Sequence, residues 1–155
     1  MRSFLIAAVF AAAVSGSPTQ DDPFLGTWVL NLPASAMTRG APPRRETIVN
    51  VVETGGFRST VTTESARGTS VEIHHYVFDG AFHQTDGADP RELSFVRVDA
   101  HTIESDTRRN NAITVHRRLV VSADGRTLTA TASGTSGGGQ AYTNDRRVYD
   151  RHDKP

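Results

Sequence analysis

Two pairs of adjacent arginines, Arg117-Arg118 and Arg146-Arg147, fall inside stretches that alternate as β-strands do. Successive strand residues point to opposite faces, so each pair must send one guanidinium inward. Over 112–122 the inward parity carries Ile113, Val115, Leu119 and Val121, and Arg117 lies among them. Over 141–150, Arg147 shares its face with Tyr149. A buried guanidinium without a partner is very costly. These two side chains therefore either swing outward on a β-bulge or meet an anion inside, which is a protein carboxylate or the head group of a ligand. Arginine suits the second role because its planar fork pairs bidentately with a carboxylate. The chemistry open to an inward arginine here is pairing with a carboxylate, the protein's own or a ligand's. The remaining doublets, 44–45 and 108–109, lie in a loop and at a strand end, where water solvates them.

The histidines offer less. His74, His75 and His83 are close in sequence, but His74 and His75 are adjacent on a strand and cannot both ligate an interior metal. Alternation over 70–79 groups Val71, Ile73, His75 and Val77, which puts His75 on the inner wall and His74 at the surface. Two histidines with no neighbouring carboxylate or cysteine make no zinc site, so no metal and no cofactor is expected. The chain has no G-x-S-x-G, no H-E-x-x-H, no cysteine nucleophile and no phosphate loop opening a helix, and no catalytic residue is assigned. The loop "SGGGQ" (136–140) reads as a hairpin connection. Glu104 and Asp106 share a face with Thr102 and Arg108 that reads as solvent-facing. An enzymatic alternative would need His75 and Tyr149 to reach one cavity as acid and base.

The elements that position these residues are short, β-rich runs at roughly 26–32, 46–53, 57–64, 70–79, 82–85, 92–98, 101–108, 112–122, 126–134 and 141–150. Between them stand Gly55-Gly56, Asp79-Gly80, Asp86-Gly87 and Asp124-Gly125, turns that favour positive φ. Eight to ten hairpin-linked strands predict an all-β fold, a single antiparallel up-and-down barrel whose closure removes exposed edges. Phe57 and Val61 face inward against Arg58, Thr60, Thr62 and Glu64, and Leu128, Ala130 and Ala132 face inward against a row of threonines. Inward residues this small leave room in the middle. The stretch 33–45 is Pro-rich and reads as a loop with one helical turn at most.

Residues 1–17 read as a secretory signal: Arg2, an apolar run over 4–14, then small residues. That run is well short of the ~20 residues a membrane helix needs. The mature domain is then 18–155, with 151–155 as a loose tail. With no cysteine in the chain there is no disulfide and no lipid-attachment cysteine, which fits a periplasmic or secreted bacterial protein. Seventeen basic residues balance seventeen acidic ones, so nothing favours nucleic acid or an anionic membrane surface. A monomer is expected.

The two ends of the chain resemble a known group. "FLGTWVL" (24–30) is similar to the G-x-W opening strand of the calycins, the superfamily of lipocalins and fatty-acid-binding proteins. "RRVYDR" (146–151) resembles the closing strand of the fatty-acid-binding proteins, with R-x-Y at Arg147 and Tyr149, and "RRLVVSADG" (117–125) resembles their penultimate hairpin. The resemblance implies that Gly26 and Trp28 plug the closed end of the barrel, the indole packing on Arg146 or Arg151. It also implies that Arg117, Arg147 and Tyr149 grip an acid head group. Phe57 and His75, inward by strand parity, are expected on the wall around the ligand. The stretch between Arg117 and Arg147 is longer than in that family, and 33–45 is too short for its helical lid. The expectation is an exported lipocalin-like barrel that binds a small hydrophobic acid. The alternatives are a barrel that works as an interaction module without a ligand and, third, an enzyme built on the same frame.

Overall fold

The computed structural model describes residues 21–85 and 91–152, and the stretch read as a secretory signal lies outside them. Ten strands follow one another: β1 (Gly26–Leu30), β2 (Arg45–Glu53), β3 (Gly56–Ser65), β4 (Gly68–Val77), β5 (His83–Gln84), β6 (Glu92–Asp99), β7 (Thr102–Arg109), β8 (Ala112–Val121), β9 (Thr127–Thr135) and β10 (Ala141–His152). Every pairing is antiparallel, and the order across the sheet is β4-β3-β2-β1-β10-β9-β8-β7-β6-β5. The result is an all-β, up-and-down sheet curled into a half-barrel, as the spacing of runs and turns predicts. No helix among the described residues is long and apolar enough to cross a membrane.

Turn chemistry fixes the hairpins. Gly55, Gly80 and Gly125 have positive φ, as their Gly-Gly and Asp-Gly pairs require. The β7–β8 hairpin turns on Asn110 and Asn111, both in the left-handed region that asparagine tolerates. Residues 33–44 form turns and one bridge, Ala36 to Arg146, and no helix.

The sheet has one seam without a backbone ladder, between β4 and β6, and side chains bridge it. Tyr76 stacks on Phe95 at 3.9 Å between ring centroids, and also on Phe57 at 4.4 Å. Aromatic pairs of this kind add about 0.5–1.5 kcal/mol each beyond the area they bury. Arg91 Nη2, just ahead of β6, donates to Glu72 Oε2 on β4 at 2.7 Å.

One end of the barrel is plugged. Trp28 is wholly buried, and its Nε1 donates to the Phe24 carbonyl at 3.0 Å. Asn50 Nδ2 donates to the same oxygen at 2.8 Å, which uses both lone pairs of a buried carbonyl. Arg151, not Arg146, lies over the indole, 4.2 Å from the ring centroid. Its guanidinium donates to the carbonyls of Pro23, Leu25 and Gly125, so it ties the entering chain to the last strand. Arg151 and His152 therefore belong to β10 and not to a loose tail.

Gly26 has φ +109°, and a Cβ there would stand 3.0 Å from Arg151 Nη1. Backbone strain of this kind costs on the order of 1–3 kcal/mol. Gly26→Ala is expected to lose that much stability in urea unfolding, and a loss within error of zero would remove Gly26 from the plug.

The plug also contains a pair that motif reading does not find. Arg97 and Asp22 side chains are 8% and 5% exposed, with Nη2 2.5 Å from Oδ2. The guanidinium sits over the Phe78 ring at 4.5 Å and near Phe24 at 5.3 Å.

Candidate ligand-binding cavity

Along β10 the inward side chains step away from the plug: Arg151, then Tyr149, Arg147 and Asp145. Arg147 is four residues from Arg151, about 13 Å along the strand. There the barrel holds a cavity of about 200 Å³. Ile48, Val61, Leu93, Leu119, Ala130 and Ala132 supply its apolar wall. The small residues at 130 and 132 open the space, as their inward parity on β9 predicts.

Arg147 and Tyr149 do face inward and meet, but what they hold is Glu46, a residue sequence reasoning missed. Arg147 Nη1 donates to Glu46 Oε1 at 2.9 Å and to Oε2 at 2.8 Å, and Tyr149 Oη donates to Oε1 at 2.7 Å. Thr63 Oγ1 donates to Oε2 at 2.9 Å. Glu46 is 4% exposed. Of the two inward anions that parity allowed, the protein carboxylate is the one present. Burial and then the Glu46 charge push the Tyr149 hydroxyl far above its ordinary value, so it remains a donor. Burial works against the charged form of Arg147, but Glu46 and Tyr149 outweigh it and its pKa rises. The signal for Glu46 is its register. It pairs with Thr63 and shares an inward parity with Ile48 and Asn50.

Arg117 also lines the cavity, between the inward Ser105 of β7 and Ala132 of β9. It makes no hydrogen bond and no ion pair with any described residue. Its charge reaches the Tyr76 hydroxyl, whose pKa burial raises and Arg117 partly restores. Arg118 points outward to Glu104 at 2.7 Å. That pair stands beside His116–Asp106, so the outer faces of β7 and β8 carry polar side-chain pairs.

His75 is a correction. It lies on the outer face of β4 with 45% of its side chain exposed, and Nδ1 is 2.6 Å from Glu53 Oε2. Val71 and Ile73 share that outer face, 60% and 44% exposed. Glu72, His74 and Tyr76 point inward instead. The register explains it: Val61 opposes Glu72, Ser59 opposes His74 and Phe57 opposes Tyr76, and cross-strand partners share a face. His75 and Tyr149 therefore do not reach one cavity, and the acid–base pair of the enzymatic alternative is not formed. Phe57 faces inward as expected but is buried in the core under the cavity, stacked on Tyr76.

At the mouth, Arg39 from the loop before β2 lies 4.2 Å over the Tyr142 ring. Asp145 accepts from Thr38 N at 2.6 Å, which holds that loop across the opening. A bulge between Tyr142 and Asp145 turns the carboxylate inward. Among the charged lining residues, four guanidiniums (Arg39, Arg91, Arg117, Arg147) face three carboxylates (Glu46, Glu72, Asp145), which leaves one positive charge in excess. No group of three or more possible metal ligands occurs among the described residues. No protein-family model matches the chain, and no curated protein matches its sequence.

Proposed function

We propose that the barrel is an exported carrier that binds a small monocarboxylic acid inside, with Arg117 as the partner of the carboxylate. The observation that carries this reading is the inward Arg117 guanidinium with no counter-ion, in a cavity that holds one positive charge in excess. The size of the cavity sets the ligand. An apolar cavity of about 150 Å³ takes a benzene ring, so about 200 Å³ suits a single-ring or short-chain acid. Long-chain fatty acids need more room, since typical ligand pockets run to roughly 300–1,000 Å³. The apolar wall supplies affinity at about 0.8 kcal/mol per buried CH₂, and Arg117 selects the charge.

Calorimetric titration with benzoate and with benzamide tests this. Benzoate is expected to bind and benzamide to bind at least tenfold more weakly, a difference of about 1.4 kcal/mol. Arg117→Gln should cost benzoate about 2 kcal/mol or more, while Arg126→Ala, on the exposed β8–β9 turn, should cost nothing. Equal affinity for acid and amide, or for wild type and Arg117→Gln, would sink the proposal.

The reading of the chain as an interaction module keeps one observation in its favour. Rows Val49–Thr60–Ile73 and Thr47–Thr62–Val71 align across β2, β3 and β4 on the outside, and Val49, Val71 and Ile73 are exposed there. No heat with any small acid would favour this reading.

A further inference from the structure

Two arginine–tyrosine pairs line the cavity, and one of them already holds a protein acid. Arg147 Nη1 donates to both Glu46 oxygens, at 2.9 and 2.8 Å, and Tyr149 Oη donates to one of them at 2.7 Å. The other pair is Arg117 on β8 and Tyr76 on β4. Burial lifts the pKa of the Tyr76 hydroxyl, which keeps it a donor, and the Arg117 charge reaches it. Neither side chain hydrogen-bonds any described residue. Tyr76 is only partly buried, and its partnerless oxygen is not sealed off but keeps accessible surface in the cavity that the side chain lines. The ring is held in place, since it stacks on Phe57 at 4.4 Å and on Phe95 at 3.9 Å between centroids. A donor fixed in advance loses little freedom when a ligand meets it.

We infer that Arg117 and Tyr76 form a second carboxylate cradle, in which the ligand's carboxylate takes from them what Glu46 takes from Arg147 and Tyr149. This rests on the monocarboxylate reading above and adds Tyr76 as a specificity-determining residue. A hydroxyl that donates to a charged acceptor makes a bond roughly twice as strong as one to a neutral acceptor. Tyr76 therefore sharpens the preference for an acid that the Arg117 charge begins.

Tyr76→Phe tests the inference, because it keeps the ring and its stacking and removes only the donor. Calorimetry should show benzoate binding about tenfold or more weaker in this variant, with no change for toluene, which offers the hydroxyl no acceptor. In the wild type, benzoate should move the Tyr76 Cζ resonance in carbon-13 NMR much further than toluene does. Tyr76→Phe combined with Arg117→Gln should cost benzoate less than the two single losses together, because both donors serve one carboxylate. A benzoate affinity in Tyr76→Phe within about twofold of wild type, an equal loss for benzoate and toluene, or single losses that add in full would overturn the cradle. The monocarboxylate reading would still stand in each case if Arg117→Gln alone weakens benzoate. If the wild type binds no benzoate, that reading falls and takes this one with it.

Discussion

Arg97→Ala is expected to cost the fold about 3–5 kcal/mol, because it strands Asp22 as an uncompensated buried charge. Both side chains are nearly inaccessible, and the Arg97 guanidinium also covers Phe78 and Phe24. A domain of this size is stable by roughly 5–15 kcal/mol in total, so the loss is a large fraction of its stability and lowers Tm by roughly 10–20 °C. The cost comes from isolating one partner more than from the worth of the pair. A double variant, Asp22→Leu with Arg97→Met, fills similar volume without charge and should recover most of the loss. Thermal and urea unfolding of the two single variants and the double variant form the cycle that measures it. If Arg97→Ala shifts stability by less than about 1 kcal/mol, as an ordinary surface change does, the ion pair does not hold the plug. The effect should be on stability and not on acid affinity, since Arg97 does not line the cavity.

Most of the fold was legible because hairpin turns and period-two alternation are local signals. The Asp124-Gly125 turn and the Leu128/Ala130/Ala132 alternation fix β9 and its facing from a dozen residues. On β4 the apolar face is the outer one, so hydropathy alone points the wrong way there. Val71 and Ile73 are apolar and outside, and Glu72 and His74 are polar and inside, because the inner wall is itself a polar site. The pairing with β3 carries the right answer, but that register is a relation between two strands, invisible in either one alone. The same holds for the site. Arg117, Arg147 and Tyr149 were legible as inward cations and donor, since a doublet in a strand must place one arginine inside. Their partner was not legible: Glu46 is 101 residues from Arg147 in sequence, and nothing local marks it as their counter-ion. Arg97 and Asp22 were missed for the same reason, being separated by 75 positions.

Glu46 also makes the second strong prediction, one in which stability and binding should move in opposite directions. Its carboxylate is held by both Arg147 and Tyr149, so on the proposed acid-binding reading it competes with the ligand for those donors. Glu46→Gln removes the charge and turns one acceptor into a donor that faces Arg147, so Arg147 loses its counter-ion and Tyr149 loses a charged acceptor. Removing one partner of a buried pair costs about 3–5 kcal/mol, toward the lower end here because 29% of the Arg147 side chain stays accessible. In exchange the cavity lining gains a second positive charge in excess. Benzoate should then bind about tenfold tighter or better than to wild type, a gain of roughly 1.4 kcal/mol. Saturating benzoate should raise the Tm of the variant more than that of wild type, because a ligand that binds only the folded state stabilises it by mass action. Combining Glu46→Gln with Arg147→Gln should return the affinity to the wild-type level, since the released cation is gone. Weaker benzoate binding by Glu46→Gln, with the variant still folded by circular dichroism, would mean that Glu46 shapes the site instead of competing for it. The opposite result would show that natural Glu46 trades affinity for stability, a balance that stabilising residues at functional sites commonly strike.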